Sequence, residues 1–357
     1  MSLPRPRLTH LARMTDETGL FEHALGAIPR RSNGWCTDDN GRGLALVSRS
    51  DEPEAERLAA IYLGFLAHAH LGGGHFGLRM GYDQRWTDDP PSDDANARAL
   101  YGLAVACAQG PEPLRWTAGK LFDEAASSRS THPRATAQAA VAASELVLVH
   151  PDHPGAWAIL ADAARALPRP TSDARWPWPA PRLTYGNALV PEALIATGEA
   201  LGIDALVADG LLLLAWLVRE ETLDDRFSFV PVGGRGPGDL RPAFDQQPIE
   251  AAAVAEACAR AYAVSGDAVW LSHLDRAVAW VCGANDASVG LVDPLSGGGY
   301  DGLVSGGVNR NEGAESTLAV LSVLQLGHLL LPTERVRAFE MPQAPPDQRA
   351  AANAASK

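Results

Sequence analysis

The sequence predicts an all-α protein built as a ring of six helical hairpins. Three observations support this: a short polar phrase recurs six times, a nearly all-apolar helical segment follows each copy, and amphipathic segments lie between the copies. A nearly all-apolar helix must be buried, whereas a helix with one charged face lies outside. The alternation therefore predicts an inner and an outer ring. The six phrases occupy 38–44, 94–100, 134–140, 185–189, 246–252 and 311–317.

Each phrase joins Asn, Gln, Glu or Asp to a run of Ala, Leu and Val with helical spacing. The copies lie roughly 40 to 65 residues apart, which is the spacing expected of repeated helical hairpins. Helix N-termini carry free N–H groups and the positive end of the helix dipole. Six such ends that converge would form one polar funnel with apolar walls behind it.

The outer helices are predicted from charged residues that mark one face of each segment. A sixth outer element is less clear, and it is either a short helix at 333–339 or part of the N-terminal segment. The five clear outer helices are predicted at 53–70, 113–128, 153–167, 203–221 and 267–281.

Two segments are predicted to form small β-hairpin insertions at the rim of the funnel. Residues 75–86 alternate in character and are rich in Gly and aromatic residues, and 226–244 are predicted as strand, glycine-rich turn and strand. The proline-rich segment 175–181 forms a third, stiff insertion. We expect one domain over 1–340 and a disordered tail over 341–357, which is rich in Ala, Pro and Gln.

Composition limits the possible functions. Hydrophobic residues make up 46% of the 357-residue chain and charged residues 20%, as in an ordinary globular protein. The net charge of −13 argues against nucleic acid or an anionic membrane surface as the main partner. No segment resembles a signal peptide or reaches transmembrane length, so we expect a cytoplasmic protein. The scattered cysteines and the absence of nucleotide-binding motifs predict neither a metal site nor a cofactor.

The polar helix starts have the chemistry of a carbohydrate site. Amides and carboxylates bond hydroxyl groups, aromatic rings stack on sugar C–H faces, and two carboxyl groups can act on a glycosidic bond. The candidate catalytic residues are Asp38, Asp39, Asp245, Glu312 and Glu315. The candidate substrate-binding residues are Trp35, Arg42, Trp86, Asp94, Asn96, Arg98, Trp176, Tyr185, Asn187, Gln246, Gln247, Glu250, Tyr300 and Asn311.

Ring closure would place the first inner helix beside the sixth, so Asp39 and Glu312 are expected to face one sugar. Asp38 and Glu315 are the alternates, and Asp245 is the next candidate. Packed helix axes lie about 8–10 Å apart, and glycosidase carboxyl groups lie about 5–9.5 Å apart. The sequence leaves open which carboxyl group is the acid, and whether the anomeric configuration is retained.

Each of these residues also has a structural alternative. Asp38 and Asp94 could be helix N-caps, and Arg42 and Arg98 could simply pair with them. Glu250 lies within an apolar helix, where a polar side chain needs a partner. The number of acids and amides at the six starts nevertheless favours a functional site.

Several phrases resemble bacterial proteins of the six-hairpin glycosidase-like superfamily. The relatives are often named glycosyltransferases, because the region also occurs fused to, or encoded beside, a glycosyltransferase domain. The resemblance covers about residues 8 to 330. The phrases that carry it are TDETGLFEHA at 15–24, GWCTDDN at 34–40, LTYGNA at 183–188, FDQQPIEA at 244–251, and YDGL at 300–303 with NEGAEST at 311–317.

The resemblance implies an (α/α)6 toroid with a carbohydrate-related role. A glycoside hydrolase acting on a small glycan is the leading expectation. The alternatives are a sugar epimerase, whose toroid relatives rely on paired histidines, and a non-catalytic glycan-binding partner of a glycosyltransferase. The chain departs from the pattern at Pro179-Ala180, where relatives carry Phe-Glu, and at Asn96, where they carry His. Those departures imply altered activity if the replaced residues are catalytic.

Overall fold

The computed structural model describes residues 3–87 and 92–331. The helices in these residues are numbered in chain order. They are α1 (Thr9–Arg13), α2 (Thr37–Ser48), α3 (Ala55–Ala69), α4 (Asp93–Gln109), α5 (Glu112–Ala125), α6 (Pro133–Val147), α7 (Pro154–Ala166), α8 (Leu189–Leu201), α9 (Asp204–Glu220), α10 (Pro248–Ser265), α11 (Val269–Val281) and α12 (Ala314–Leu330).

The even-numbered helices form a closed inner ring. Each contacts the next along the chain, and α12 contacts α2. The odd-numbered helices from α3 to α11 each pack on the inner helix that precedes them, so they form the outer ring. The six-hairpin, (α/α)6 toroid prediction is therefore confirmed. Inner helices such as α10 and α12 are buried around most of their circumference, as their apolar composition requires.

The N-terminal segment covers α12 in the sixth outer position. Leu3 is buried and packs against Gly327 of α12, which has no side chain to hold it away. His328 Nε2 lies 3.0 Å from the carbonyl oxygen of Pro4. These contacts agree with the sequence-based alternative that places the N-terminal segment beside α12. The alternative at 333–339 and the expected tail at 341–357 lie outside the described residues.

Two glycines allow α2 and α4 to cross closely. A Cβ added to Gly102 would lie 2.5 Å from the carbonyl oxygen of Gly41, and one added to Gly41 would lie 2.6 Å from that of Arg98. Only residues without a side chain permit this backbone approach. The crossing brings the start of α4 against the start of α2, where the candidate residues lie.

Short antiparallel strand pairs lie at the rim: β1 (Ala24–Leu25) with β2 (Ile28–Pro29), β3 (Trp35–Cys36) with β6 (Arg79–Met80), β4 (His70–Gly72) with β5 (His75–Phe76), β7 (Thr222–Leu223) with β8 (Arg226–Phe227) and β9 (Gly302–Val304) with β10 (Gly307–Asn309). The predicted hairpin over 75–86 is corrected: the segment contains β5 and β6, but β5 pairs with β4 and β6 pairs with β3, so the two do not pair with each other.

The predicted hairpin over 226–244 is corrected. The hairpin forms earlier, between β7 and β8, where Asp224 and Asp225 adopt positive φ angles of 49° and 61° that suit a tight turn. Residues 239–244 form no strand. Pro237 and Pro242 lack the N–H groups that a ladder requires, which disfavours a strand there.

None of the helices in the described ranges is long and apolar enough to cross a bilayer. Cys36, Cys107, Cys258 and Cys282 are free thiols, and all four are buried. They belong to different parts of the ring and act as small apolar side chains in its core.

Candidate functional site

A cavity of about 360 Å³ opens where the N-terminal ends of the inner helices meet. We call it the central cavity. Every inner helix, or the loop that leads into it, contributes to the wall. The lining residues are Asp38, Arg42, Leu78, Arg79, Ser92, Asp94, Ala97, Arg98, Arg134, Gln138, Tyr185, Gly186, Leu189, Gln247 and Glu315.

The predicted polar side chains at these helix starts do not serve as N-caps. In the described structure, α2, α6, α8, α10 and α12 have no side-chain N-cap hydrogen bond. Helix α4 is capped by Ser92 rather than by Asp94. Asp38 and Asp94 are therefore not N-caps, and both residues line the cavity.

Arg42 connects three groups across the ring. Its Nη1 donates to Asp39 Oδ1 at 2.9 Å, and its Nη2 donates to the Tyr185 hydroxyl at 3.0 Å. The same Nη2 forms an ion pair with Glu315 Oε2, also at 3.0 Å. The Tyr185 hydroxyl donates in turn to Glu315 Oε2 at 2.6 Å. One guanidinium group thus fixes side chains from the first and sixth inner helices and from the loop before α8.

Asp38 presents a carboxyl group with unused hydrogen-bonding capacity. Its Oδ1 is buried and has no hydrogen-bond partner among the described residues. Burial raises the pKa of Asp38 above its ordinary value, and the nearby charges of Arg42 and Arg98 offset only part of this effect. Asp38 is therefore held closer to its protonated form than an ordinary aspartate.

Glu315 is shifted in the opposite direction. Burial by itself would raise its pKa, but Arg42, the Tyr185 hydroxyl and Arg98 outweigh burial and hold the pKa below its ordinary value. Because α2 and α12 are neighbours in the ring, the cavity holds two carboxyl groups on adjacent helices with opposite pKa shifts. This arrangement suits one proton donor and one ionised carboxylate.

Asp39 and Glu250 do not line the central cavity, but each contacts a residue that does. The Asp39 side chain is buried against Arg42, and burial raises its pKa to about 8. Glu250 accepts hydrogen bonds from the backbone N–H groups of Gly186, at 2.6 Å, and Asn187, at 3.3 Å. These bonds hold the turn that carries Tyr185, so Glu250 positions the site without lining it.

The structure does not bring Asp39 and Glu312 to one cavity. Glu312 precedes α12, where its Oε2 accepts a 2.5 Å hydrogen bond from Ser296 and lies 3.3 Å from His10 Nδ1. Asp245 is exposed and is also absent from the lining of the central cavity. The alternate pair, Asp38 and Glu315, is the one that shares the cavity.

Two of the predicted sugar-stacking residues pack within the protein. Trp35 is 1% exposed and stacks on Phe21 with ring centroids 5.0 Å apart. Trp86 packs edge-on against Phe65, with centroids 5.9 Å apart. Neither lines the central cavity.

Two others are bonded in loops. Trp176 Nε1 donates to the carbonyl oxygen of Ala180 at 2.8 Å, and the Tyr300 hydroxyl donates to Asp293 Oδ2 at 3.0 Å. The aromatic ring that does line the central cavity is that of Tyr185.

Among the predicted amide ligands, Gln247 lines the central cavity. The other four are absent from its lining, and each bonds a neighbouring group. Asn96 accepts from Phe76 N at 2.8 Å, Asn187 donates to Glu250 at 3.2 Å, Gln246 donates to Asp286 at 2.8 Å and Asn311 accepts from Gly26 N at 3.1 Å.

A second cavity of about 870 Å³ adjoins the first and is called the outer cavity. The two share Ser92, Asp94, Arg134, Tyr185 and Gly186 in their walls. The two cavities therefore adjoin along this shared wall. Further lining residues of the outer cavity include Trp178, Ala180 and Asn187.

The predicted site missed Arg79, Arg134 and Trp178. Arg134 opens the third helix-start phrase, and that position is the signal that could have identified it. Trp178 lies in the same proline-rich segment as the predicted Trp176. Arg79 comes from a rim strand, whose direction toward the cavity depends on its pairing with Trp35-Cys36. No group of three or more His, Cys, Asp or Glu in the described ranges is arranged to hold a metal ion.

Comparison with known proteins gives matches in structure only. No protein-family model matches the sequence, and no curated protein matches it.

Solved structures of carbohydrate enzymes share the fold. A sugar epimerase from a ruminal bacterium matches with a TM-score of 0.67 and 13% identity, covering 93% of this chain and 96% of its own. The cellobiose 2-epimerase of Bacillus thermoamylovorans also has a TM-score of 0.67 and 13% identity, over 90% and 96% of the two chains. A family 76 glycoside hydrolase from Bacteroides thetaiotaomicron has a TM-score of 0.63 and 12% identity, over 90% and 76%.

These matches extend over nearly the whole toroid, so they establish the class as an (α/α)6 toroid of the type seen in both sugar epimerases and glycoside hydrolases. At such low identity they concern the fold alone. The chemistry of this chain must be argued from its own cavity.

Proposed function

We propose that this protein is a glycoside hydrolase that acts on a short glycan, with Asp38 as the general acid and Glu315 as the base or nucleophile. One observation carries the proposal: two carboxyl groups from neighbouring inner helices line one cavity, and their pKa values are shifted apart. Separate pKa values are what a carboxyl pair needs to act as proton donor and acceptor at the same pH.

The reaction follows from a protonated Asp38 and an ionised Glu315. Protonated Asp38 gives its proton to the glycosidic oxygen as the bond to the anomeric carbon breaks, and the leaving sugar departs as an alcohol. Ionised Glu315 either takes a proton from the water that attacks the anomeric carbon, or attacks that carbon itself and is released later by water. The products are two sugars, and one water molecule is consumed.

Arg42 and Tyr185 have positioning roles in this proposal. Both bond Glu315, and both favour its charged form. Asp39 holds Arg42 from the buried side at 2.9 Å. Gln247 and Asp94, at the cavity wall, offer an amide and a carboxylate for sugar hydroxyl groups.

Asp38→Asn and Glu315→Gln test the proposal with a panel of aryl glycosides and disaccharides. Glu315→Gln should lower kcat by about 10²-fold or more on every substrate that the parent cleaves. Asp38→Asn should have a smaller effect on nitrophenyl glycosides than on disaccharides, because a nitrophenolate leaves without help from an acid. A general loss of stability would not produce this dependence on the leaving group.

Glu312→Gln and Asp245→Asn are the matched controls, because each removes a predicted carboxylate that lies outside the central cavity. Both should retain parental kcat. If Glu312→Gln abolishes turnover while Asp38→Asn does not, the assignment of the site fails.

Epimerisation is the alternative within the same fold class. No histidine is present among the described residues that line the central cavity, and this favours hydrolysis over an epimerase that depends on paired histidines. Incubation with free mannose, glucose and cellobiose, followed by NMR, would detect epimers directly. Sugar binding without turnover in either assay would instead indicate a glycan-binding protein.

A further inference from the structure

The central cavity is rich in arginine although the chain has a net charge of −13. Its lining contains more guanidinium groups than carboxyl groups, and one of the carboxyl groups, Asp38, has a raised pKa. The guanidinium groups belong to Arg42, Arg79, Arg98 and Arg134, and the carboxyl groups to Asp38, Asp94 and Glu315.

Two of these arginines already have carboxylate partners. Arg42 bonds Asp39 and Glu315, as described above, and Arg79 bonds Glu22 with Nη2 2.9 Å from Oε1. Their charges are balanced within the protein. A ligand therefore gains less from an additional negative charge beside either of them.

Arg98 and Arg134 make their hydrogen bonds to neutral partners instead, although the charge of Arg98 also lowers the pKa values of Asp38 and Glu315. Arg98 Nη1 donates to the side-chain oxygen of Gln138, and Arg134 Nη1 donates to the carbonyl oxygen of Tyr185 at 3.0 Å. Within the part of the chain that the structure describes, neither guanidinium makes an ion pair with a carboxylate. Each has several N–H donors that these single bonds do not use.

The two guanidinium groups face the same region. Arg134 and Gln138 are one turn apart on α6, so their side chains leave the same helix face with Cβ atoms about 6 Å apart. Gln138 holds Arg98 on that face, and the Arg134 guanidinium lies over the Tyr185 ring, 5.2 Å from its centroid. Arg134 also belongs to the wall shared with the outer cavity.

We propose that Arg98 and Arg134 bind an oxyanion on the substrate, so that the preferred glycan carries a carboxylate, phosphate or sulfate. Planar guanidinium groups bind such oxyanions through paired, charge-assisted hydrogen bonds. The inference rests on the proposed function for the position of the sugar, since the same cavity holds Asp38 and Glu315. It does not require turnover, because it concerns binding.

Calorimetric titration with matched monosaccharides tests the proposal. The pairs are glucuronate with glucose, galacturonate with galactose, and glucose 6-phosphate and glucose 6-sulfate with glucose. At least one anionic member should bind the parent about tenfold or more tightly than its neutral counterpart, with an affinity that falls as salt is added. The anion that binds most tightly identifies the chemical source.

Arg98→Gln and Arg134→Gln should each weaken binding of that anionic sugar by about tenfold or more, while Arg169→Gln should leave it unchanged. Arg169 pairs with Asp209 and does not line the central cavity, so its variant makes the same charge change elsewhere. Arg98→Lys and Arg134→Lys keep the charge and should restore part of the affinity. These lysine variants also serve if either glutamine variant fails to fold.

The proposal is overturned if no anionic sugar binds the parent more tightly than its neutral counterpart, or if the Arg98 and Arg134 variants bind as the parent does. It is also overturned if inorganic phosphate or sulfate binds as tightly as the sugar acids, because the site would then recognise an anion without a sugar. In each case the hydrolase proposal stands or fails separately on the turnover of the Asp38 and Glu315 variants.

Discussion

The Tyr185 hydroxyl donates a 2.6 Å hydrogen bond to Glu315 Oε2, which joins the loop before α8 to the first turn of α12. Arg42 donates to the same hydroxyl from α2, on the far side of the ring from α8. Arg42 Nη2 also lies 3.0 Å from Glu315 Oε2, so a hydroxyl group and a guanidinium group from other parts of the ring hold this carboxylate. Its low pKa is a property of the closed ring rather than of α12 alone.

Tyr185→Phe should raise the pKa of Glu315, because one of the groups that lowers it is lost. If the reaction needs ionised Glu315, activity is lost when Glu315 becomes protonated as the pH falls. A higher pKa brings this protonation to a higher pH, so the acidic limb of the kcat profile should move to higher pH. At the optimum, kcat should fall about tenfold, because a hydrogen bond to a charged group contributes about 1.5 kcal/mol or more. Tyr300→Phe is the control, since that hydroxyl bonds Asp293 outside the cavity. An unmoved acidic limb in Tyr185→Phe would contradict the role given to this hydrogen bond.

Gly102→Ala should destabilise the protein, because the new Cβ would lie 2.5 Å from the backbone oxygen of Gly41. Overpacking of this kind costs about 1–3 kcal/mol. The helices α2 and α4 would have to separate, so Arg98 would also move relative to Asp38, and sugar binding should weaken. Denaturant unfolding and calorimetric titration measure the two effects.

Gly64→Ala provides the matched control for this prediction. Gly64 lies within α3, and a Cβ there would meet no atom within 4 Å. Replacing an exposed helix-interior glycine with alanine should stabilise by about 0.5–1 kcal/mol. Equal changes in stability for Gly102→Ala and Gly64→Ala would show that the close crossing of α2 and α4 does not require glycine at position 102.

Glu145→Gln should be strongly destabilising at neutral pH. Glu145 is buried between Arg49, whose Nη2 lies 3.1 Å from Oε2, and Arg260. Burial alone would raise its pKa, but the two arginines lower it, so its contribution is present above the unfolded pKa and is lost as pH falls through the folded value. Removing the carboxylate leaves two partly buried guanidinium groups without this partner and should cost about 3 kcal/mol.

The control for Glu145→Gln is Glu54→Gln at the exposed pair with Arg57, where the distance is 2.8 Å. Surface pairs contribute about 1 kcal/mol or less, so chemical unfolding of this variant should differ little from the parent. A small effect at both positions would show that the buried cluster is not important for stability.

Glu192→Gln should stabilise the folded protein at alkaline pH, in contrast to Glu145→Gln. Burial and the neighbouring Glu256 raise the pKa of Glu192 to about 8. A raised carboxyl pKa means that the folded protein holds a proton that the unfolded chain releases, so stability falls as pH rises from the unfolded pKa through about 8. Glutamine cannot ionise, so the variant should melt about 3 °C or more above the parent at pH 9. At pH 4 the variant and the parent should have the same melting temperature. A higher melting temperature of the parent at pH 9 would contradict the prediction.

The sequence by itself determined the ring. Helical periodicity, apolar inner segments and charged outer faces are local properties, and they predicted the inner helices and five outer helices closely. The predicted segment at 113–128, for example, contains most of α5, Glu112–Ala125. The predicted hairpin at 226–244 was wrong, because local alternation could not show where the pairing would form.

Only the tertiary structure decided which polar groups share the central cavity. Successive residues of a helix point about 100° apart, so Asp38 faces the cavity while the next carboxylate, Asp39, is buried against Arg42. Glu312 and Glu315 also point to different places, but for another reason. Helix α12 begins only at Ala314, and the preceding loop directs Glu312 toward Ser296. The choice depends on ring closure and loop paths, which join residues hundreds of positions apart and leave no local signal in the sequence.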